Sequence, residues 1–161
     1  MPVDAHHRTA FPHNVTFRTT DWVTEDTAGD EPTYDVVIAY DHTSFSPIPA
    51  TDASFTSFSI TKWIHLHHGD QGISSFFQRA HRVLKPGGTL LVEPQAWETY
   101  GKARRMDAKL RENAKHLRLR PQDFPALLER LGFGPPEHLG TTGEGGVFDL
   151  ELRPVCHADN L

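Results

Sequence analysis

One cysteine, Cys156, is all the thiol chemistry that 161 residues hold. Without a second thiol there is no intrachain disulfide and no multi-cysteine zinc site. A reducing compartment, cytosol or nucleus, is the default expectation. Long apolar runs are lacking too: none approaches the roughly eighteen residues that a membrane-spanning helix needs, so no membrane is expected as a partner. The first dozen residues carry His, Arg and Asp with no apolar stretch, so a secretory leader is not expected. No HExxH pattern and no internal repeat occurs. A net charge of −5 argues against a protein that coats nucleic acid with its whole surface.

What is present suits one globular domain. The chain is 37% hydrophobic and 23% charged, enough of each to enclose a core in a soluble shell. Its charge is unevenly placed. Residues 102–120 contain eight basic side chains against Asp107 and Glu112, about +6 in a protein whose remainder is about −11. Such a stripe can bind a polyanion. It also fits a solvated helix face.

Residues 14–17 and 34–40 are predicted strands. Asp35-Val36-Val37-Ile38-Ala39 is a continuous apolar run of the kind buried on both faces of a parallel sheet. The acidic residues 25–31 between them suit a surface loop. Residues 41–58 hold four Ser, three Thr and two Pro with no periodicity, and are read as a disordered insertion. Ile73, Phe76, Phe77, Ala80, Val83 and Leu84 recur at helical spacing, predicting an amphipathic helix over 73–84. Lys85-Pro86-Gly87-Gly88 stops it, and 89–93 is a short buried strand. A basic helix is predicted over 103–117 and another helix from Pro121, carrying Phe124, Leu127, Leu128 and Leu131. Residues 137–140 and 147–152 are late strands, the second placed near a sheet edge.

Ligands of open α/β sheets bind beyond the carboxyl ends of the strands. Two segments reach that edge. One is Lys62-Trp63-Ile64-His65-Leu66-His67-His68, whose three histidines do not make a metal site: no cysteine is near, and His65 with His68 is only an i, i+3 pair. The other is Glu93-Pro94-Gln95-Ala96-Trp97-Glu98-Thr99-Tyr100-Gly101-Lys102. Its two aromatics suit base stacking and its lysine a phosphate. In the structural alternative, Trp97 and Tyr100 pack the loop down.

Lys85-Pro86-Gly87-Gly88 and Leu128-Glu129-Arg130-Leu131-Gly132-Phe133 resemble class I methyltransferases in general. Sharper is the series Thr61-Lys62-Trp63-Ile64-His65-Leu66, Gly69-Asp70, Glu93-Pro94-Gln95-Ala96-Trp97 and Tyr100-Gly101-Lys102. In that order and spacing it resembles the bicoid-interacting-protein, or methylphosphate-capping, family of RNA methyltransferases over residues 11–39 and 60–152. The resemblance implies an α/β fold, a partial class I (Rossmann-like) methyltransferase domain over 1–161. It implies S-adenosylmethionine as cofactor and the 5′ phosphate of a small non-coding RNA as acceptor. Lys62 becomes the candidate catalytic residue, holding the phosphate. Asp21 and Trp22 match the polar–aromatic pair beside the adenine, and Tyr40 lies near the cofactor. Trp63, His65, Gln95, Trp97, Tyr100, Lys102, Arg104 and Arg105 are the expected RNA contacts. A nuclear location is favoured.

The chain departs from the family in three respects. The Gly-rich cofactor loop and the acidic strand end that follows it have no counterpart, so the central sheet lacks its first two strands. Residues 41–58 are inserted where relatives have a few residues. His67 and His68 replace Asn and Trp. In the family's sheet order, 3-2-1-4-5-7-6, the missing first strand would leave residues 35–39 as an apolar edge, which tends to pair or aggregate. Either a second chain or a ribonucleoprotein partner covers it, or the sequence is a fragment of a longer one. Two readings follow: a methyltransferase complete only in its acceptor-binding half, or a non-catalytic RNA-binding and assembly module.

Overall fold

Four strands and four helices make up the residues described by the computed structural model, which are 19–25, 31–39, 60–142 and 148–155. The strand expected at 14–17, the insertion at 41–58 and Tyr40 lie outside them. In chain order the elements are β1 (Tyr34–Ile38), α1 (Ile60–Val83), β2 (Leu84–Val92), α2 (Trp97–Ala103) and α3 (Ala108–His116). A 3-10 turn (Pro121–Asp123), α4 (Phe124–Arg130), β3 (Glu137–Thr142) and β4 (Phe148–Pro154) follow. The sheet order is β1-β2-β4-β3. β1 and β2 run parallel, with Val36, Val37 and Ile38 opposite Thr89, Leu90 and Leu91, as the apolar runs on either side of the crossover helix predict. β4 is antiparallel to both neighbours. It is therefore interior and β3 is the edge. The segment expected at 147–152 near a sheet edge is thus the strand next to the edge.

β2 begins earlier than the expected 89–93. Tyr34 already pairs with Leu84, and Val36 with Thr89, so residues 85–88 bulge outward between two pairs only two residues apart on β1. Gly88 makes the bulge close: a Cβ there would lie 2.8 Å from the Lys85 carbonyl oxygen and 3.1 Å from that of Asp35. Across it, the Lys85 Nζ sits 2.9 and 3.0 Å from the two Asp35 carboxylate oxygens. That exposed pair adds little energy but agrees with the register.

The helix expected over 73–84 is the second half of a longer one. Gly69, at φ 71° and ψ −169°, is non-helical and divides α1. A break interrupts the i→i−4 ladder and leaves carbonyls in need of donors. The Asn113 amide from α3 supplies them, donating to Leu66 O at 2.9 Å and His67 O at 3.1 Å. Each half of α1 serves its own core. Ile73, Phe76, Phe77 and Ala80 pack on Leu90 and Val92 of β2 and on Phe124, Leu127 and Leu128 of α4. Leu66 packs with Tyr100, Ala103, Leu110, Ala114 and Leu117, seating α2 and α3 on the first half. α4 ends as its sequence predicts. Gly132, at φ 98°, lets its own N–H reach Glu129 O and the Phe133 N–H reach Leu128 O, a paired closure of the last turn.

The single basic helix over 103–117 is corrected to two. Asp107 is extended, and its carboxylate accepts from the Lys109 and Leu110 amides at 2.6 and 3.3 Å, starting α3 afresh. An N-cap signal inside a charged run outweighed continuous helix propensity. A second correction concerns β1. Tyr34, Val36 and Ile38 are 49, 52 and 58% exposed, so the run is not buried on both faces. Among the described residues no strand pairs with its other edge.

Gly88→Ala should lower unfolding free energy by about 1–3 kcal/mol in urea titrations, since two of the three close atoms are backbone oxygens that cannot move aside, the third being Leu84 Cδ2. Asp107→Ala should cost about 1 kcal/mol in the same titration, through loss of the cap.

Candidate nucleic-acid interface

The carboxyl ends of β1 and β2 face the amino end of α1. Ala39 N–H donates to Leu91 O at 3.2 Å, and the Thr61 hydroxyl donates to Glu93 O at 3.3 Å, tying the three together. A cavity of about 590 Å³ opens there, walled by Trp22, Ala39, Ile60, Trp63, Ile64 and Phe76, with Asp21 and His67 at its border. Trp22 meets Phe76 edge-on at 5.6 Å, and the Arg79 guanidinium lies 5.0 Å from the Trp22 ring. Arg79 is buried and donates to Trp22 O at 2.8 Å and Glu25 O at 2.6 Å, which holds the 21–25 turn against α1. Asp21 closes that same turn. Its Oδ1 accepts from the Val23 and Thr24 amides at 2.9 and 3.2 Å, and Oδ2 from the Thr24 hydroxyl at 2.6 Å. The Thr24 hydroxyl and then the Val23 amide hold its carboxyl below the usual range. Of the expected cofactor pair, Trp22 presents a ring to the cavity, while most of the acceptor capacity of Asp21 is taken by the turn.

A second groove, of about 400 Å³, lies between α1 and α2. Lys62 and Trp63 form one side, Glu98, Thr99 and Lys102 the other, and Met106 closes the end. Trp63 thus borders both cavities, and the Lys62 Nζ stands 5.2 Å from its ring centre. Lys102, Arg104 and Arg105 are exposed, the two arginines in the turn that leaves α2. α1 and α2 bring Lys62, Trp63 and Lys102 to one groove although about forty residues separate them in the chain.

Three expected RNA contacts are corrected, because they lie beneath this surface. His65 is fully buried, and Gln95 and Tyr100 are nearly so, at 2 and 1% exposed. The Nε2 of His65 is 2.8 Å from Asp70 Oδ1, and its Nδ1 is 3.3 Å from the Tyr100 hydroxyl. Asp70 Oδ2 accepts from the Arg118 amide at 2.9 Å and Oδ1 from the Leu119 amide at 3.3 Å. Burial pushes the His65 imidazole below its ordinary range, with Arg120 adding to the effect and Asp70 opposing it. Burial alone would raise Asp70, but the bonds from His65 and from the Arg118 and Leu119 amides bring it down. Burial raises the Tyr100 hydroxyl, so it stays protonated. Trp97 is half-buried and already has partners: the Tyr100 ring at 4.7 Å and the Arg120 guanidinium at 3.9 Å. A base reaching it would have to displace Arg120. The three histidines do not converge, since His65 points inward while His67 and His68 are exposed. Among the described residues no cluster of three or more His, Cys, Asp or Glu could hold a metal ion.

Sequence reasoning gave Asp70, Arg79 and Arg120 no individual role in the site. For Arg79 a signal existed, a charged residue inside the apolar spacing Phe76, Phe77, Ala80. Asp70 is five residues beyond His65 and comes within reach only through the break at Gly69.

Comparison with known proteins shows the family. A family model described as bicoid-interacting protein 3 matches residues 53–157. The human 7SK snRNA methylphosphate capping enzyme is 32% identical over 146 residues, 88% of this chain and 19% of that protein. The Drosophila melanogaster U6 snRNA methylphosphate capping enzyme is 36% identical over 88 residues, 50% of this chain and 29% of that protein. An RNA 5′-monophosphate methyltransferase of Pongo abelii is 48% identical over 52 residues, 32% of this chain and 17% of that protein. The chain therefore spans only a fraction of the length of its relatives. On the match across most of its length, the chain belongs to the bicoid-interacting protein 3 family.

Proposed function

We propose that this chain is the acceptor-binding half of an S-adenosylmethionine-dependent RNA methyltransferase, acting on the 5′ phosphate of small non-coding RNA in the nucleus. One observation carries the reading: Lys62 and Lys102 border a groove whose Trp63 wall is shared with the aromatic cavity. Relatives named for capping 7SK and U6 snRNA and for methylating an RNA 5′ monophosphate support it. The sheet supports it too, since β1-β2-β4-β3, with β4 reversed, corresponds to the 4-5-7-6 portion of a class I (Rossmann-like) methyltransferase sheet.

The chemistry asks little of the protein in proton transfer. A terminal phosphate is already anionic near neutral pH, its second pKa being about 6, and needs no base to become nucleophilic. Placement and charge neutralisation are what remain. Lys62 and Lys102 hold the phosphate from two helices, and the arginines 104 and 105 meet the chain that follows. Trp63, bordering both cavities, is the ring best placed to stack on a base. S-adenosylmethionine supplies the electrophilic methyl group when bound. The cavity fits it in part: Trp22, Ile60, Ile64 and Phe76 suit the adenine, whereas no described carboxylate stands ready for the ribose.

That partial fit, together with the exposed β1 edge, is what favours the second reading, a non-catalytic RNA-binding or assembly module whose edge a protein partner covers. Calorimetric titration with S-adenosylhomocysteine separates the two: micromolar binding supports the enzyme and none the module. Residues 1–161 alone should transfer little or no radiolabelled methyl group to a triphosphorylated small RNA. Lys62→Ala should weaken RNA with a 5′ triphosphate far more than RNA with a 5′ hydroxyl. Replacing Arg104 and Arg105 with Ala should flatten the salt dependence by roughly 0.7 log unit per lost contact. Trp63→Ala should cost about 1–3 kcal/mol of RNA affinity with the salt slope unchanged. Equal binding of both RNA ends by the wild-type chain would remove the phosphate site from this groove.

A further inference from the structure

The buried His65 lies beside the groove and joins α1 to α2 and α4. From α1 it reaches Asp70 beyond the break, Tyr100 on α2 and the Phe124 ring of α4, the last edge-on at 5.5 Å. An ionised carboxylate can only accept, so Asp70 fixes the proton on Nε2. The Nδ1 of the neutral ring is then an acceptor, and the Tyr100 hydroxyl donates to it. Asp70 meanwhile holds the backbone at 118 and 119, which leads into Arg120 and its contact with Trp97. The α2 helix that lines the groove is thereby tied to one imidazole through Tyr100.

We infer that His65, Asp70 and Tyr100 are positioning residues, a chain of hydrogen bonds that sets α2 against α1 and so fixes Lys102 opposite Lys62. This rests on the phosphate-groove reading given above. The charged and titratable groups facing His65 are Asp70 from α1, Tyr100 from α2 and Arg120 from the segment before α4; the Phe124 ring contributes no charge. Protonating His65 places a hydrogen on Nδ1, where the Tyr100 O–H had donated, and buries a cation near Arg120. The hydroxyl then loses its acceptor and α2 is released. Because burial depresses the folded-state pKa of His65, its contribution is complete above the unfolded value of about 6.5. It is lost as pH falls through the lower folded value.

The test compares wild type with Tyr100→Phe, which keeps the ring and removes only the donor. Fluorescence anisotropy with a short single-stranded RNA bearing a 5′ monophosphate gives the two dissociation constants across pH. Their ratio cancels the titration of the RNA phosphate and of every exposed group that both proteins share. The ratio should be about five near neutral pH, the worth of one hydrogen bond, and should shrink toward one below the imidazole range. In a His65→Gln background, Tyr100→Phe should then have a much smaller effect. Hydrogen exchange over residues 97–103, corrected for intrinsic rates, should show faster opening of α2 in Tyr100→Phe without RNA. Equal affinities at every pH, with unchanged exchange, would overturn the positioning role while leaving the groove standing. Wild-type binding that ignores the 5′ phosphate, alongside altered exchange, would instead sink the groove reading.

Discussion

Gly69 takes a backbone conformation, φ 71°, that side-chain-bearing residues rarely hold, and the positions of α2 and α3 depend on it. A straight helix would carry Asp70 about 140° round the axis from His65, on another face. The break brings the carboxylate to 2.8 Å from the imidazole instead. It also exposes the carbonyls of Leu66 and His67, which Asn113 takes up, so the same residue that turns α1 gives α3 its docking point. Gly72 allows the turned helix to close, since a Cβ there would lie 2.1 Å from that of His68. Two glycines at the break therefore shape the groove without touching it.

The division between what the sequence discloses and what it conceals follows the range of the interactions. Local rules work well. Periodicity places the apolar face of α1, Pro121 and Gly132 bound the 3-10 turn and α4, and the apolar runs pair in parallel. Errors arise where distant partners decide. The run at 103–117 reads as one basic helix until Asp107 caps a new one, and the apolar run at 35–39 reads as buried on both faces although Val36 and Ile38 are exposed. For the site, residue type without depth misled: His65, Gln95 and Tyr100 have the chemistry of RNA contacts but are buried. Lys62, Trp63 and Lys102 emerge in one groove because each leaves the carboxyl edge of the sheet, where topology concentrates ligands.

Buried polarity beside the groove has a logic of its own. A histidine without partners at this depth would be costly, and each bond that satisfies it also fixes an element. The imidazole is held between an anion and a hydroxyl, so its tautomer is set by its surroundings. Arg79 follows the same logic on the other side of α1. It is desolvated, yet it holds the carbonyls of Trp22 and Glu25 and faces the Trp22 ring. In both places a charged or titratable group lies inside to connect segments far apart in the chain.

The parallel pairing of β1 with β2 also has a meaning in time. Tyr34 leaves the ribosome fifty residues ahead of Leu84, its partner in the sheet. At about 5–20 residues per second, that interval is about 3–10 seconds of synthesis. Through it the Tyr34, Val36 and Ile38 strand lacks β2, the one strand that pairs with it among the described residues, while α1 can already coil from local contacts. The early-emerging strand is thus a segment that a holding chaperone could meet, and its final capture waits on the Gly88 bulge being made.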